Sequence, residues 1–503
     1  MRWNESDRLK LWLCLLALPL MSLMMVAAFG IRGLDTQQVS SVEPDVKVVV
    51  DQSYPIGRSE FSPGITHVDN TLDDASGNSD SATIASVKSL LRNGVSFQNT
   101  PIMGWGLPDP WPDPSAPEPA NWGALDARLQ FIVNSAGTPV ITLCEAPWWM
   151  KGQLQADGST LVLTRAEEWS SRAFASRILD DKMGAWLHLV ERVAERYMVP
   201  PYNVRYFQVW NELKGYYDPI TNTFDYHTTA GNPTGPHASH GYTYMYNQVY
   251  ERLMSVAASL GIPENQVKVG GPYAVLDTWS SSSNVSNPSA ITRPYGTFDQ
   301  RPLDVVTYWL QHKAGAGFIT VDADATNTDN VNIAHASVAS EKFADVVRWI
   351  RSLNNAIYPG AATLPIWLGE WYARPYTGWA DNRHSDAIKT YAMMEFLKSG
   401  GSVALAWGGS DLGRSGPRLW TDTVKGGGKP LPFYYSYLDF KEYFVPGTTL
   451  YATTISPAGL VGALASATMV MLVNRTPNPL VVSVDGRIVA LTPYDVITMR
   501  TTP

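Results

Sequence analysis

Two glutamates carry the most specific chemistry in this chain. Phe207-Gln208-Val209-Trp210 runs straight into Asn211-Glu212, and Ile366-Trp367-Leu368-Gly369 runs straight into Glu370-Trp371. If both runs are parallel strands of one sheet, the two carboxyls emerge at the same end of it. Two carboxyls about 5–5.5 Å apart can break a glycosidic bond in two displacements. One attacks the anomeric carbon. The other protonates the leaving oxygen and then activates water. Their environments must push their proton affinities apart for the roles to differ. Asn211, beside Glu212, is placed to hydrogen-bond the sugar 2-hydroxyl, a contact that strengthens in the transition state. Glu145, ending the run Pro139–Leu143, is the rival carboxylate, and it lacks the Asn neighbour.

These residues need a scaffold that gathers strand ends. From residue 60 to 440 the chain alternates short apolar runs with helical patterns, the signature of βαβ units. Eight runs are placed as strands: Ile65–Val68, Val95–Gln98, Pro139–Leu143, Val204–Trp210, Val267–Gly270, Leu303–Thr307, Ile366–Gly369 and Val403–Ala406. Amphipathic segments such as Thr83–Arg92, Tyr244–Leu260 and Ser385–Lys398 read as the intervening helices. Eight units predict a (β/α)₈ TIM barrel, an α/β fold with its active residues at the C-terminal strand ends. Residues 441–503 change to short alternating strands and predict a small β-sandwich. The segment 33–59 reads as a linker followed by a strand, Val46–Val50, that joins this sandwich.

The motifs resemble a known group. Phe207–Glu212 is similar to the strand-four motif of glycoside hydrolase clan A. Tyr246–Pro272 resembles the matching stretch of glycoside hydrolase family 39, which includes β-xylosidases, and Lys429-Pro430 through Tyr435 resembles the segment leaving its barrel. The resemblance spans roughly residues 60–500 and implies Glu212 as acid/base and Glu370 as nucleophile. Clan members often present an aromatic or histidine after strand six that touches the nucleophile. Tyr308 and His312 follow the sixth run here and stand as candidates. The implied activity is that of a retaining glycosidase hydrolysing O-glycosyl bonds. An endo-acting polysaccharide or biofilm hydrolase, and a catalytically silent carbohydrate-binding envelope protein, remain alternatives on the same barrel.

Other residues near strand ends are candidates for sugar contact. Trp105, Trp148, Trp149, Trp371 and Trp407 follow strands, and aromatic faces stack on the C–H faces of pyranoses. Trp149, Trp371 and Trp407 are taken as the mouth aromatics, with His67 after the first strand. The loop after strand four carries Tyr216, Tyr217, His227, His237 and His240, read as subsite or polar groups and not as a metal site. The run Asp322–Asp329 departs from a calcium loop at Asn327 and Ile333 and reads as a solvated loop. No Gly-x-Ser-x-Gly elbow, His-Glu-x-x-His or phosphate loop occurs, and no cofactor or metal is called for.

Composition agrees with this chemistry. The 503 residues carry 18 Trp and 24 Tyr but only 17% charged residues. A net charge of −8 argues against nucleic acid as partner and leaves an uncharged oligo- or polysaccharide. Arg2, Arg8 and Lys10 precede an uncharged apolar run, residues 11–31. This predicts a signal peptide or N-terminal anchor within residues 1–32. The bulk would then be secreted or held at the outer face of the cytoplasmic membrane.

Overall fold

The computed structural model describes residues 43–68, 80–155, 157, 159–228, 240–375, 383–410, 418–421, 423 and 426–501. The apolar run 11–31 and His237 lie outside them. No helix among the described residues is long and apolar enough to cross a membrane.

Eight parallel strands close into a barrel. In chain order they are Ser62–Thr66, Phe97–Pro101, Thr138–Leu143, Tyr206–Val209, Lys268–Val275, Phe318–Asp324, Ile366–Tyr372 and Gly401–Trp407. The eighth pairs with the first, Val403 opposite Ser62, which closes the ring. The expected TIM barrel is therefore the observed fold.

One predicted strand is corrected. Leu303–Thr307 belongs to a helix, Gln300–His312, and the sixth strand is Phe318–Asp324. Leu303, Val305 and Val306 look like a β-branched run. With Pro302, Trp309 and Leu310, however, they form the buried stripe of a helix, and Asp299 caps its start by accepting from the Arg301 N–H. Tyr308 and His312 therefore ride on an outer helix and do not follow a barrel strand.

The period of two along each strand fills the barrel in tiers. At the base Phe97, Tyr206, Phe318 and Trp367 cluster with Val140, Val403 and Leu405. The Phe318 and Trp367 rings stack 4.0 Å apart. Two residues further along come polar groups bonded in series. Asn99 donates to Thr66 Oγ1 at 3.0 Å, Thr142 donates to Asn99 Oδ1 at 2.9 Å, and Gln208 donates to Thr142 Oγ1 at 3.0 Å. These bonds satisfy groups that burial would otherwise leave costly. The next tier along strand six is Asp322, facing the mouth.

A seven-stranded sheet stands beside the barrel. It joins Val46–Arg58 to six C-terminal strands between Thr449 and Arg500. Val46 pairs with Val482, and Val48 with Ile455. Val46, Val48, Val470 and Leu472 build its own core, whereas Leu464, Met471 and Val473 turn the opposite way into the main core. Both faces of this sheet are thus used.

Candidate active site

Strand four ends in a turn that aims Glu212. Trp210, Glu212 and Leu213 all have left-handed backbones, with φ of 69°, 51° and 53°. Each such residue costs roughly 1–2 kcal/mol, so the turn must be held by its surroundings. The buried Trp210 ring packs edge-on to Trp186, and its Nε1 donates to the Lys214 carbonyl at 2.8 Å. Lys214 Nζ then reaches Glu212 Oε2 at 2.8 Å and donates to Asn211 Oδ1 at 2.6 Å. One ammonium ties both motif residues together. It also lies 5.8 Å from the Trp105 ring centroid, and Trp105 meets Trp407 edge-on at 5.2 Å.

Two bulges flank strand six and aim its neighbours. Strand five slips against it between Pro272 and Ala274, leaving Tyr273 as the extra residue at φ 57°. Strand seven slips between Leu368 and Glu370, leaving Gly369 extra. Bulges beside active sites re-aim side chains in this way. Here Glu370 turns into the mouth beside Asp322. Trp371 turns out, fully buried, onto Phe343 and Phe433 of the surrounding helices. Gly369 is demanded by space: a Cβ there would meet Thr320 Cγ2 at 2.7 Å and the Tyr273 ring at 2.8 Å. Gly369→Ala should push Tyr273 and Glu370 apart and lower kcat by on the order of 10²-fold, with the barrel still folded by circular dichroism. Unchanged kcat would show that the close approach is not needed.

Asp322 completes the site. One carboxyl oxygen from each of Glu212, Asp322 and Glu370 lies within 4.8 Å of the others. Glu370 N–H donates to Asp322 Oδ1 at 2.7 Å, and the Tyr372 hydroxyl donates to Glu370 Oε1. Burial, then Glu212, push the Glu370 carboxyl up to about 8, against the pull of Tyr372 and Lys214. Burial, then Glu212 and Glu370, push Asp322 well above the usual carboxylate range. Burial also lifts Tyr273, with Asp322, Glu370 and Glu212 adding to it. The trio has the spacing of a cation site, and the Lys214 ammonium already supplies positive charge against it. Glu145 is fully buried and ion-paired with Lys151. It is occupied as a structural partner.

The structure brings Glu212, Glu370, Asn211 and Trp407 into one contiguous group. The other candidates are held elsewhere. His67 is buried, with Nε2 2.9 Å from Gln98 Oε1 and its ring edge-on to Phe131. Burial holds it neutral, near 3. It packs between barrel and helix and is not a mouth group. Trp149 donates from Nε1 to the Trp111 carbonyl at 2.9 Å and meets that ring edge-on. Tyr308 and His312 stack on each other at 3.9 Å on the outer helix. His240 lies 3.1 Å from Asp180. Asp322 and Asp324 are in strand six, which corrects the solvated-loop reading. Lys214, Tyr273, Asp322 and Tyr372 are the site residues that sequence reasoning missed. The only signal was position: Asp322 lies within an apolar strand run, and Lys214, Tyr273 and Tyr372 lie three or four residues past one.

A cavity of about 370 Å³ opens from Glu212 and is lined also by Lys214, Tyr217, Asp277, Trp279 and Arg301. Glu370 does not border it. Its walls are set by bonds within the protein: Arg301 pairs with Asp299 at 2.6 Å and donates to Asn222 at 2.6 Å. The volume is at the small end for ligand sites.

No protein-family model matches the sequence, and no curated protein matches it. Solved structures match over most of the chain. An endo-β1,6-glucanase is 12% identical with a TM-score of 0.56, covering 92% of this chain and 96% of that one. SrfJ from Salmonella typhimurium is 11% identical with a TM-score of 0.55, covering 94% of each. A family 39 β-xylosidase from Caulobacter crescentus is 13% identical with a TM-score of 0.47, covering 90% of this chain and 96% of that one. At these identities the shared property is the fold.

Proposed function

We propose that this protein is a retaining glycoside hydrolase acting on O-glycosidic bonds of an oligo- or polysaccharide. The carrying observation is the spacing of Glu212 and Glu370, whose nearest carboxyl oxygens lie within 4.8 Å. A retaining pair stands about 5–5.5 Å apart, whereas an inverting pair needs about 6.5–9.5 Å to seat a water between its members. Glu370, bonded by Tyr372 and fixed on strand seven, attacks the anomeric carbon when ionised. Glu212, less buried and bordering the cavity, protonates the leaving oxygen. It then takes a proton from the water that releases the sugar. Asn211, held by Lys214, faces the same mouth for the 2-hydroxyl. Trp105 and Trp407 offer ring surface there. The endo-β1,6-glucanase on the same fold supports this reading by analogy.

The cavity on the Glu212 side gives room for a leaving group that is itself a sugar. On this reading the apolar run 11–31 carries the enzyme out of the cytoplasm, where polysaccharide is met. The test is a panel of aryl glycosides and oligosaccharides followed by proton NMR. The first-formed sugar should keep the anomeric configuration of the substrate. Inverted product would exclude the mechanism. Binding without turnover across the panel would favour a silent carbohydrate-binding protein.

A further inference from the structure

Asp322 takes no part in the two displacements, yet it is built into their centre. Its Oδ1 accepts the Glu370 backbone N–H at 2.7 Å. Its Oδ2 is fully buried and has no hydrogen-bond partner. An ionised carboxylate would leave a bare anionic oxygen there, with no donor to replace water. The charges around it make that worse. Glu212 and Lys214 face it from the end of strand four, Tyr273 from strand five, and Glu370 and Tyr372 from strand seven. The Lys214 ammonium pulls the other way, but it is already bonded to Glu212 and Asn211. One lysine balances one carboxylate. In the attacking state Glu212 holds its proton and Glu370 carries that one negative charge, so an ionised Asp322 would be a second anion with no counter-charge.

We infer that Asp322 is a positioning residue that stays protonated while Glu370 ionises. Through Oδ1 it fixes the backbone of the nucleophile. As a neutral acid it keeps a second charge out of the cluster, so the negative charge rests on Glu370. The inference deepens the retaining reading and rests on it. The pattern has precedent in principle: acids crowded in one site cannot all ionise, and an apolar surrounding keeps one of them neutral.

The test pairs Asp322→Asn with infrared difference spectroscopy of the whole protein at about pH 9, above the Glu370 step. Wild type should show the carbonyl stretch of a protonated carboxylic acid. Asp322→Asn should lack it, and Glu370→Gln should keep it. On whichever aryl glycoside the wild type turns over, Asp322→Asn should hold kcat within about tenfold and leave the acid limb of the pH profile in place. An amide resembles the neutral acid and still accepts the N–H. Asp322→Leu, which cannot accept it, should lose about 10²-fold in kcat. Two results would overturn the inference. One is a band absent from wild type, or present in Asp322→Asn but lost in Glu370→Gln. The other is an acid limb moved down by a unit or more in Asp322→Asn, the mark of a removed negative charge. The infrared reading stands even if no glycoside is turned over, so failure of the enzymatic reading and failure of the proton assignment are separable.

Discussion

Glu370→Gln should abolish turnover, with a loss on the order of 10⁴-fold or more, and leave the fold intact. The amide is isosteric with the acid, so Tyr372 can still donate to Oε1 and the backbone N–H can still meet Asp322. What is lost is the nucleophile, and no neighbour can replace it. Glu145 is paired with Lys151, and Asp322 faces the mouth with only its backbone-bonded oxygen placed. The same residue sets the pH profile. Attack needs Glu370 ionised, and burial with Glu212 pushes it up to about 8. Because Glu212 must still hold a proton while Glu370 is ionised, kcat/KM should be bell-shaped: burial of Glu370 raises the acid limb above that of an ordinary glutamate, and loss of the shared pair's last proton sets the alkaline limb. Stability follows with the opposite slope. A carboxyl raised in the folded state binds more protons than the unfolded chain between its ordinary value and about 8, so stability falls as pH rises through that window. Glu370→Gln removes this term. Its melting temperature should match wild type near pH 4 and exceed it increasingly toward pH 8. A variant retaining wild-type turnover would remove Glu370 from the nucleophile role. Equal melting temperatures at all pH values would remove the electrostatic strain.

Both glutamates were legible in the sequence because each directly follows a strand-forming apolar run, and strand ends in a barrel converge. Seven of the eight strands were legible for the same reason, with edges displaced by up to five residues, as at Val267–Gly270 against Lys268–Val275. Strand six was not. Val305-Val306-Thr307 has the composition of a strand but belongs to a helical stripe, and tertiary burial against the barrel decided between them. That displacement hid Asp322 inside an acidic run that looked like a solvated loop. The facing of side chains near the mouth was hidden by the bulges. A strict period of two from Trp367 would put Gly369 and Trp371 on the inner face; the extra residue at Gly369 gives the mouth to Glu370 and sends Trp371 into the helices. His67 failed for a simpler reason: it lies just past the strand, and Gln98 and Phe131 claim it.

Glu212→Ala should separate the two halves of the reaction. The acid matters most when the leaving group is a poor one, such as a sugar hydroxyl. Hydrolysis of an oligosaccharide should fall by about 10²–10⁴-fold, the usual contribution of a positioned acid. An aryl glycoside whose phenolate leaves unaided should form the glycosyl-enzyme almost as fast as before. The intermediate would then persist, because no base activates water. Azide, small and already anionic, needs no base and should fit the space the side chain vacates beside Lys214. Added azide should restore aryl glycoside turnover and yield a glycosyl azide with the configuration of the substrate. Lys214 sharpens the expectation, because its ammonium loses its carboxylate partner in the variant and is left to attract the anion. Rate recovery with azide but not with a neutral nucleophile of similar size would identify that attraction. No recovery on any activated substrate would show that Glu212 is not the acid/base. The acid would then have to be sought among the remaining carboxyls that border the mouth, Asp277 first, since it lines the same cavity.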